Sequence, residues 1–351
     1  MVREYTDLSE REKVILRQIV HQFILSANPV GSRNLSRSSE LGLSPASIRN
    51  IMSDLEDSGY LGHPHTSAGR VPTDKGYRFY VDSLLTTSVF DIQDKDLINK
   101  ELEATVSETD ELFRITSILL SDITNQLACV TYPRLDTGIL EKIQIVPLSS
   151  SRILIVINIK SGLVKTIALE LKKEVKESHL EAVQRILNEK LSGLTFSEIR
   201  KTFAERIKDI NAEYSPIVRV FIDSADKIFT DVLKNDRAFI SGTKNIIKHP
   251  EFEKVDQFHS IIELIEDKDV IVHILADNEN IKDKILIKIG SENQNEILTE
   301  YSLVTKEYKI GDVTGAIGIV GPKRMEYSKI IGAVMYVAEA LTEHLKKGNF
   351  Q

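Results

Sequence analysis

The stretch from Ser44 to Leu84, SPASIRNIMSDLEDSGYLGHPHTSAGRVPTDKGYRFYVDSL, constrains this chain more than any other. It opens on a helix. Ser44 is a cap residue, and Pro45 takes the first helical position, where a missing N–H costs nothing. Ile48, Ile51, Met52 and Leu55 fall at helical spacing, so one face is buried. The opposite face carries Ser47, Arg49, Asn50 and Ser53, side chains able to donate to phosphates or base edges. A Gly/Pro/His/Ser-rich hairpin follows, GHPHTSAGRVP, with Arg70 at its tip. The next segment, GYRFYVD, is aromatic and reads as a strand. A helix that is polar outward, with a basic hairpin behind it, describes a winged helix-turn-helix that reads DNA.

The residues ahead of this stretch complete the pattern. Ser9 and Glu12 have the spacing of a capping box for a helix from Ser9 to about Ser26. Val14, Ile15, Ile19, Phe23 and Ile24 form its core face. NPVGS is a turn, Ser32 caps a short second helix RNLSRSSEL, and LGLS is the tight turn into the third. The unit is complete by residue 85 and forms domain 1–85. It holds ten Lys/Arg and ten Asp/Glu, so the net charge of −7 belongs wholly to the remaining chain. One copy therefore has no large basic field. Affinity for a polyanion depends on geometry and on pairing two copies.

At 351 residues, 42% of them apolar, the chain has room for two or three domains with real cores. Its single cysteine, Cys129, excludes an intramolecular disulfide and a multi-Cys zinc site. It lies in the apolar run LACVTYP and reads as a buried, inert thiol. The charged N-terminus MVREYTDLSEREK has no signal-peptide h-region. The most apolar helix, IIGAVMYVAEALTEHL, is interrupted by Glu339 and Glu343, so no membrane span is expected.

The expected fold class is α+β. Residues 86–100 read as a polar linker, followed by one long helix from about Leu97 to Ala128. ILEKIQIVPL, RILIVINI and LVKTIALEL are strands, and helices are expected at about 177–191, 197–209 and 216–234. AFISG is a short strand and VDQFHSIIELIE an amphipathic helix. VIVHILA, ILIKIG, ILTEYSLV and GAIGIVG read as further strands before a final helix, Lys323 to Lys347. An antiparallel sheet domain is thus expected from 101–147 and 251–351, with 148–250 inserted in it.

Several strings resemble the heat-inducible transcription repressor family, HrcA. They are HPHTSAGRVPTDKGYRFYVD, SPASIRNIMSDLEDSGYL and VGSRNL near the N-terminus, and IGSENQNEILTEYSLVTKEY and GAIGIVGPKRMEYSKII near the C-terminus. The middle, about 172–250, matches in pattern only. The resemblance implies a winged-helix DNA-binding domain and a GAF-like α/β domain carrying an inserted α+β dimerisation domain. It implies a cytoplasmic homodimer that binds an inverted-repeat operator in double-stranded DNA, blocks transcription of chaperone operons and is released on heat stress. It also implies the GroE chaperonin as the partner that maintains activity.

Placed on these motifs, Ser47, Arg49, Asn50 and Ser53 face a major groove, where Arg pairs with guanine and Asn with adenine. The bland alternative for Arg49 is an ion pair with Glu56, Asp57 or the hairpin. Ser44 opens this helix. Thr66, Ser67 and Arg70 would meet the backbone or minor groove, and Ser32 and Arg33 a phosphate at the second helix. His63 and His65 read as turn packing, with no third metal ligand nearby. Tyr77, Phe79 and Tyr80 fit packing against the first helix better than base stacking. Lys323 and Arg324 oppose the macrodipole of the final helix and suit an interdomain or dimer ion pair. Gly315, Gly318 and Gly321 fit close strand packing, not a nucleotide loop. No catalytic constellation, metal spacing or cofactor motif is evident. Two other readings compete: a metabolite-sensing regulator using the GAF-like domain, and an enzyme carrying a winged helix as an interaction module.

Overall fold

The computed structural model of the chain describes residues 7–38, 42–63, 69–84, 91–105, 109–171, 175–208, 215–230, 238–253, 255–267, 270–272, 275, 284–293 and 295–347. The architecture is α+β.

Three helices, α1 (Glu10–Ser26), α2 (Ser32–Ser38) and α3 (Pro45–Asp57), bury Ile15, Leu16, Ile19, Leu35, Ile48, Met52 and Leu55 between them. The expected capping box opens α1: Ser9 Oγ accepts from the Glu12 amide, and Glu12 returns a carboxylate oxygen to the Ser9 amide at 2.6 Å. Two otherwise orphaned amides are satisfied there. Ser44 Oγ accepts from the Ser47 amide at 3.1 Å and starts α3. Strands β1 (Leu61–Gly62) and β2 (Val71–Pro72) then form a two-stranded antiparallel ribbon. A bridge between Val30 and Arg70 pins the loop end of its paired strands to the turn between α1 and α2.

The segment expected as an aromatic strand is a helix, α4 (Asp74–Leu84). Thr73 Oγ1 accepts from the Gly76 amide at 3.2 Å, which starts the helix. Tyr77, Tyr80 and Val81 share helical spacing and are buried. The bland reading of the aromatics holds. Tyr80 Oη bonds His21 Nδ1 of α1 at 3.1 Å, and Phe79 meets the Tyr60 ring edge-on.

The expected linker also differs. Its second half is helix α5 (Ile92–Ala104), which buries Ile98 and Leu102. The single long helix is two: α5, and α6 (Thr109–Thr124). Asn125 then takes a left-handed backbone, φ 53°, and ends α6. Strand β3 (Leu127–Thr131) follows and carries Cys129, which is buried as expected.

The larger sheet has five antiparallel strands in the order β7-β3-β10-β9-β8, where β7 is Ala238–Ser241, β8 Leu286–Ile289, β9 Tyr301–Ile310 and β10 Val313–Pro322. Alternate residues sort to two covered faces. Ala128, Val130, Val304, Ile317 and Ile319 share one core with α6 and the final helix, Tyr327–Lys347. Leu127, Cys129, Leu303, Ala316 and Val320 face a second core built by the helix Val255–Glu266 and its neighbours. The three glycines of β10 permit close packing: a Cβ on Gly315 would lie 2.4 Å from the Tyr308 ring, and one on Gly318 would lie 2.4 Å from Leu275.

A smaller sheet of three antiparallel strands, β4 (Leu140–Ser149), β5 (Arg152–Ile159) and β6 (Val164–Glu170), leaves the chain between β3 and β7. Helices α7 (Glu177–Leu191), α8 (Phe196–Arg206), α9 (Ser215–Asp223) and α10 (Ala225–Phe229) accompany it. The expected insertion at 148–250 is therefore offset. Leu140 already pairs with Ile159 in the smaller sheet, whereas Ala238–Ser241 pairs with β3 in the larger one.

Two further strand expectations are corrected. Val270–Val272 and Leu275 of VIVHILA are helical; Ile271 and Leu275, four apart, are both buried. A short apolar run does not separate the two periods. In ILTEYSLV the first half is a 3-10 turn, Glu296–Glu300, opened by Asn295 accepting from the Ile297 amide.

Lys323 and Arg324 precede the final helix and both reach the N-terminal unit, Lys323 through the expected ion pair and Arg324 through a hydrogen bond only. Lys323 Nζ lies 3.2 Å from Asp74 Oδ1 on α4. Arg324 pairs with Glu251 at 2.6 Å and donates to the Ile24 carbonyl at 2.7 Å, at the end of α1.

Candidate nucleic-acid interface

Helix α3 divides cleanly. Ile48, Met52 and Leu55 are buried, while Ser47, Arg49, Asn50 and Ser53 are exposed as expected. They form neighbouring rows on the helix surface, because residues three and four apart stack along one side. Arg49 pairs with no described residue, so the anticipated ion pair to Glu56 is not formed; Glu56 is engaged elsewhere. Ser44 is exposed, and its hydroxyl is occupied with the cap and with Ser47 Oγ at 3.0 Å.

Helix α2 adds exposed arginines beside this face, Arg33 and Arg37. Ser32 does not join them: only 8% exposed, it lies within the first turn of α2 and faces inward. Arg37 carried no motif signal in the sequence beyond its charge.

The ribbon departs from expectation at Arg70. This residue stands where the loop rejoins the ribbon, one position before β2, and is held there rather than standing free at a tip. Its backbone pairs with Val30, and its Nε donates to Glu56 Oε2 at 2.7 Å. His63 Nε2 lies 2.8 Å from the other oxygen of Glu56. Glu56 thus ties both strands of the ribbon to the last turn of α3. Sequence reasoning missed this role, because residues 14 apart in the chain show no periodic signal. Thr66, Ser67 and His65 lie outside the described residues.

Within the neutral charge count of the unit, several carboxylates are held in pairs. Glu56 is paired with Arg70, Asp74 with Lys323, and Asp82 lies beside Arg78. Asp7 accepts from Tyr60 Oη at 2.8 Å, with Lys75 3.6 Å away. The Tyr60 hydrogen bond holds the Asp7 carboxyl below the usual carboxylate range. Burial, then the same bond, pushes the Tyr60 phenol above its ordinary value. Of these carboxylates only Asp74 is paired from outside the unit, by Lys323. Arg33, Arg37 and Arg49 are exposed along α2 and α3, with Asp54 and Asp57 exposed on α3 as well.

A family model described as the HrcA protein C terminal domain matches residues 110–331. The chain is 37% identical over 350 residues to the heat-inducible transcription repressor HrcA of Chlorobium phaeobacteroides (strain BS1), covering 97% of this chain and 99% of that protein. The chain belongs to the HrcA family. The HrcA of Chlorobaculum parvum (strain DSM 263 / NCIMB 8327) is 41% identical over 356 residues, covering 98% and 99% of the two chains. The HrcA model begins at residue 110, beyond α3 and the ribbon, whereas the matches to whole HrcA relatives extend over that unit as well. A solved structure described as a hypothetical protein at 2.2 Å resolution shares the fold, with a TM-score of 0.61 and 23% identity over 97% of this chain and 99% of that one.

Among the described residues, no group of three or more His, Cys, Asp or Glu side chains is arranged to hold a metal. No described helix is long and apolar enough to cross a membrane.

Proposed function

We propose that the chain is a heat-inducible transcription repressor, a cytoplasmic homodimer that binds an inverted-repeat operator in double-stranded DNA. The observation that carries this reading is the exposed row Ser47, Arg49, Asn50 and Ser53 on an otherwise packed α3. Helices α1 to α4 with the ribbon act as a winged helix-turn-helix, and α3 enters the major groove. Arg49 reads guanine, Asn50 reads adenine, and Ser47, Ser53 and Arg33 hold phosphates. Thr66 and Ser67 meet the DNA backbone or minor groove. Arg70 serves by fixing the ribbon against α3, and Ser44 by starting α3. Ser32 is left to the packing of α2.

The larger sheet with its helices serves as the GAF-like domain, and the smaller sheet with α7 to α10 as the inserted dimerisation domain. The smaller sheet buries Ile143, Ile145, Ile153, Ile155 and Ile157 on one face. Its other face presents Val146, Leu148 and Val164, 42%, 53% and 49% exposed, and register places Val146 beside Leu154 and Leu154 beside Ala168. The edge of β4 is closed: Asn188 and Gln184 of α7 bond the Ile143 and Ile145 backbone. An apolar face with a closed edge suits face-to-face packing against a second copy. Twofold pairing also supplies the two readers that an inverted repeat requires.

Heat lowers the folded dimeric fraction of a marginally stable protein and vacates the operator. The GroE chaperonin then returns the chain to its active form. The metabolite-sensing alternative has less support, because the second face of the larger sheet is filled by its own apolar core, with Leu275 against Gly318. Gel shifts with the inverted repeat, at several temperatures with and without chaperonin, test the proposal. Binding that survives well above heat-shock temperature without chaperonin overturns it.

A further inference from the structure

We infer that Arg78 is a positioning residue: it fixes the angle at which the DNA-reading unit sits on the larger sheet, and so the spacing between the two readers of a dimer. The consequence for DNA rests on the repressor reading above; the geometry does not.

Arg78 lies on α4 and is 8% exposed. Its guanidinium reaches across to the larger sheet. Nη2 donates to the Ile287 carbonyl at 2.6 Å, at β8, and Nε donates to Glu292 Oε1 at 2.8 Å. Nη2 also pairs with the second Glu292 oxygen, and Nη1 lies 3.3 Å from Asp82 Oδ1 on its own helix. Burial opposes the Arg78 cation, but the hydrogen bond and charge of Glu292, backed by Asp82, raise its pKa above the ordinary arginine value. Glu292 is itself oriented, accepting from the Ile289 amide at 3.0 Å. A planar fork with this many acceptors fits in one orientation only.

Two more grips lie close by. Asp74, in the first turn of α4, accepts from the Ser291 amide at 2.9 Å and pairs with Lys323. Gly290 makes room for it: at φ 52°, a Cβ there would lie 2.3 Å from an Asp74 oxygen. Arg324 holds the end of α1 through the Ile24 carbonyl. All three grips come from residues 287–324, and all but Ile287 lie in the two C-terminal strings that the sequence singled out, 289–308 and 315–331. Tyr77 of α4 also packs against Tyr327 of the final helix. The three grips add directed bonds to that apolar contact, and directed bonds fix orientation. A fixed reader angle sets the half-site spacing the dimer accepts.

The lone Cys129 is 1% exposed, so labels can be placed on R11C and E343C, both exposed positions, in the full chain. Spin-label distances, with labelled chains diluted into unlabelled ones, read the angle within one chain. Wild type gives one narrow distance; R78K, E292Q and G290A give broad distributions while circular dichroism shows them folded. In gel shifts, inverted-repeat DNA is compared with the same repeat lengthened by about five base pairs, half a helical turn. The preference of wild type for the natural spacing falls by about tenfold or more in R78K. An unchanged narrow distance in the folded variants, or an unchanged spacing preference, overturns the inference. Should wild type bind no repeat at all, the repressor reading fails while the distances still decide the grip.

Discussion

Arg70 Nε donates to Glu56 Oε2 at 2.7 Å, so the loop end of the ribbon's paired strands is tied to the last turn of α3. Both side chains are largely withdrawn from solvent, 22% and 23% exposed, and His63 meets the same carboxylate. The pair sets the ribbon against α3.

That relationship gives a prediction whose sign is informative. Removing a carboxylate beside DNA raises affinity if charge alone matters. If Glu56 positions the ribbon, Glu56→Ala lowers operator affinity by about 0.5–1.5 kcal/mol, the net scale of one hydrogen bond. Fluorescence anisotropy on the operator measures it. A gain in affinity contradicts the positioning role.

Arg49→Ala tests base reading. It costs about 1–3 kcal/mol on the operator and far less on random DNA if Arg49 contacts a base. Equal losses on both DNAs assign Arg49 to a phosphate.

Much of the reading unit was legible in sequence because its signals are local. The Ser9–Glu12 capping box, the Ser44–Pro45 start of α3 and the buried row Ile48, Met52 and Leu55 each declare themselves within a few residues. α4 was misread because Tyr77, Phe79, Tyr80 and Val81 are strand-favouring types, while the Thr73 cap and helical spacing decided the outcome. Arg78 was invisible as a positioning residue, since Glu292 lies 214 positions away. The same holds for Arg70, placed at a free tip by hairpin composition but held by its pairing with Val30.

Val146→Asp tests the dimer face. A charge on the open face of the smaller sheet resists burial against a partner. Sedimentation is expected to show monomers with unchanged circular dichroism, and affinity for the full repeat falls by about 10²-fold through lost avidity. A variant that remains a dimer moves the interface elsewhere.

The Asp7–Tyr60 bond gives a pH dependence. The Asp7 carboxyl is held below its ordinary 3.8, so its contribution to stability is present above that value and is lost as pH falls through the lower folded value. The Tyr60 phenol is raised, so its contribution is present below the ordinary 10.0 and is lost as pH climbs beyond it. Thermal melts of wild type and Asp7→Asn therefore differ at neutral pH and converge in acid. A constant difference down to about pH 2 contradicts the assignment.

The most direct test of the account is a gel shift of the full-length chain on an inverted-repeat operator from upstream of chaperone genes, at growth temperature and after heating. The account predicts a complex that forms on the whole repeat in preference to a half-site, disappears on heating and returns when chaperonin is supplied. Equal binding to whole repeat, half-site and random DNA, or a complex unchanged by heat without chaperonin, contradicts it.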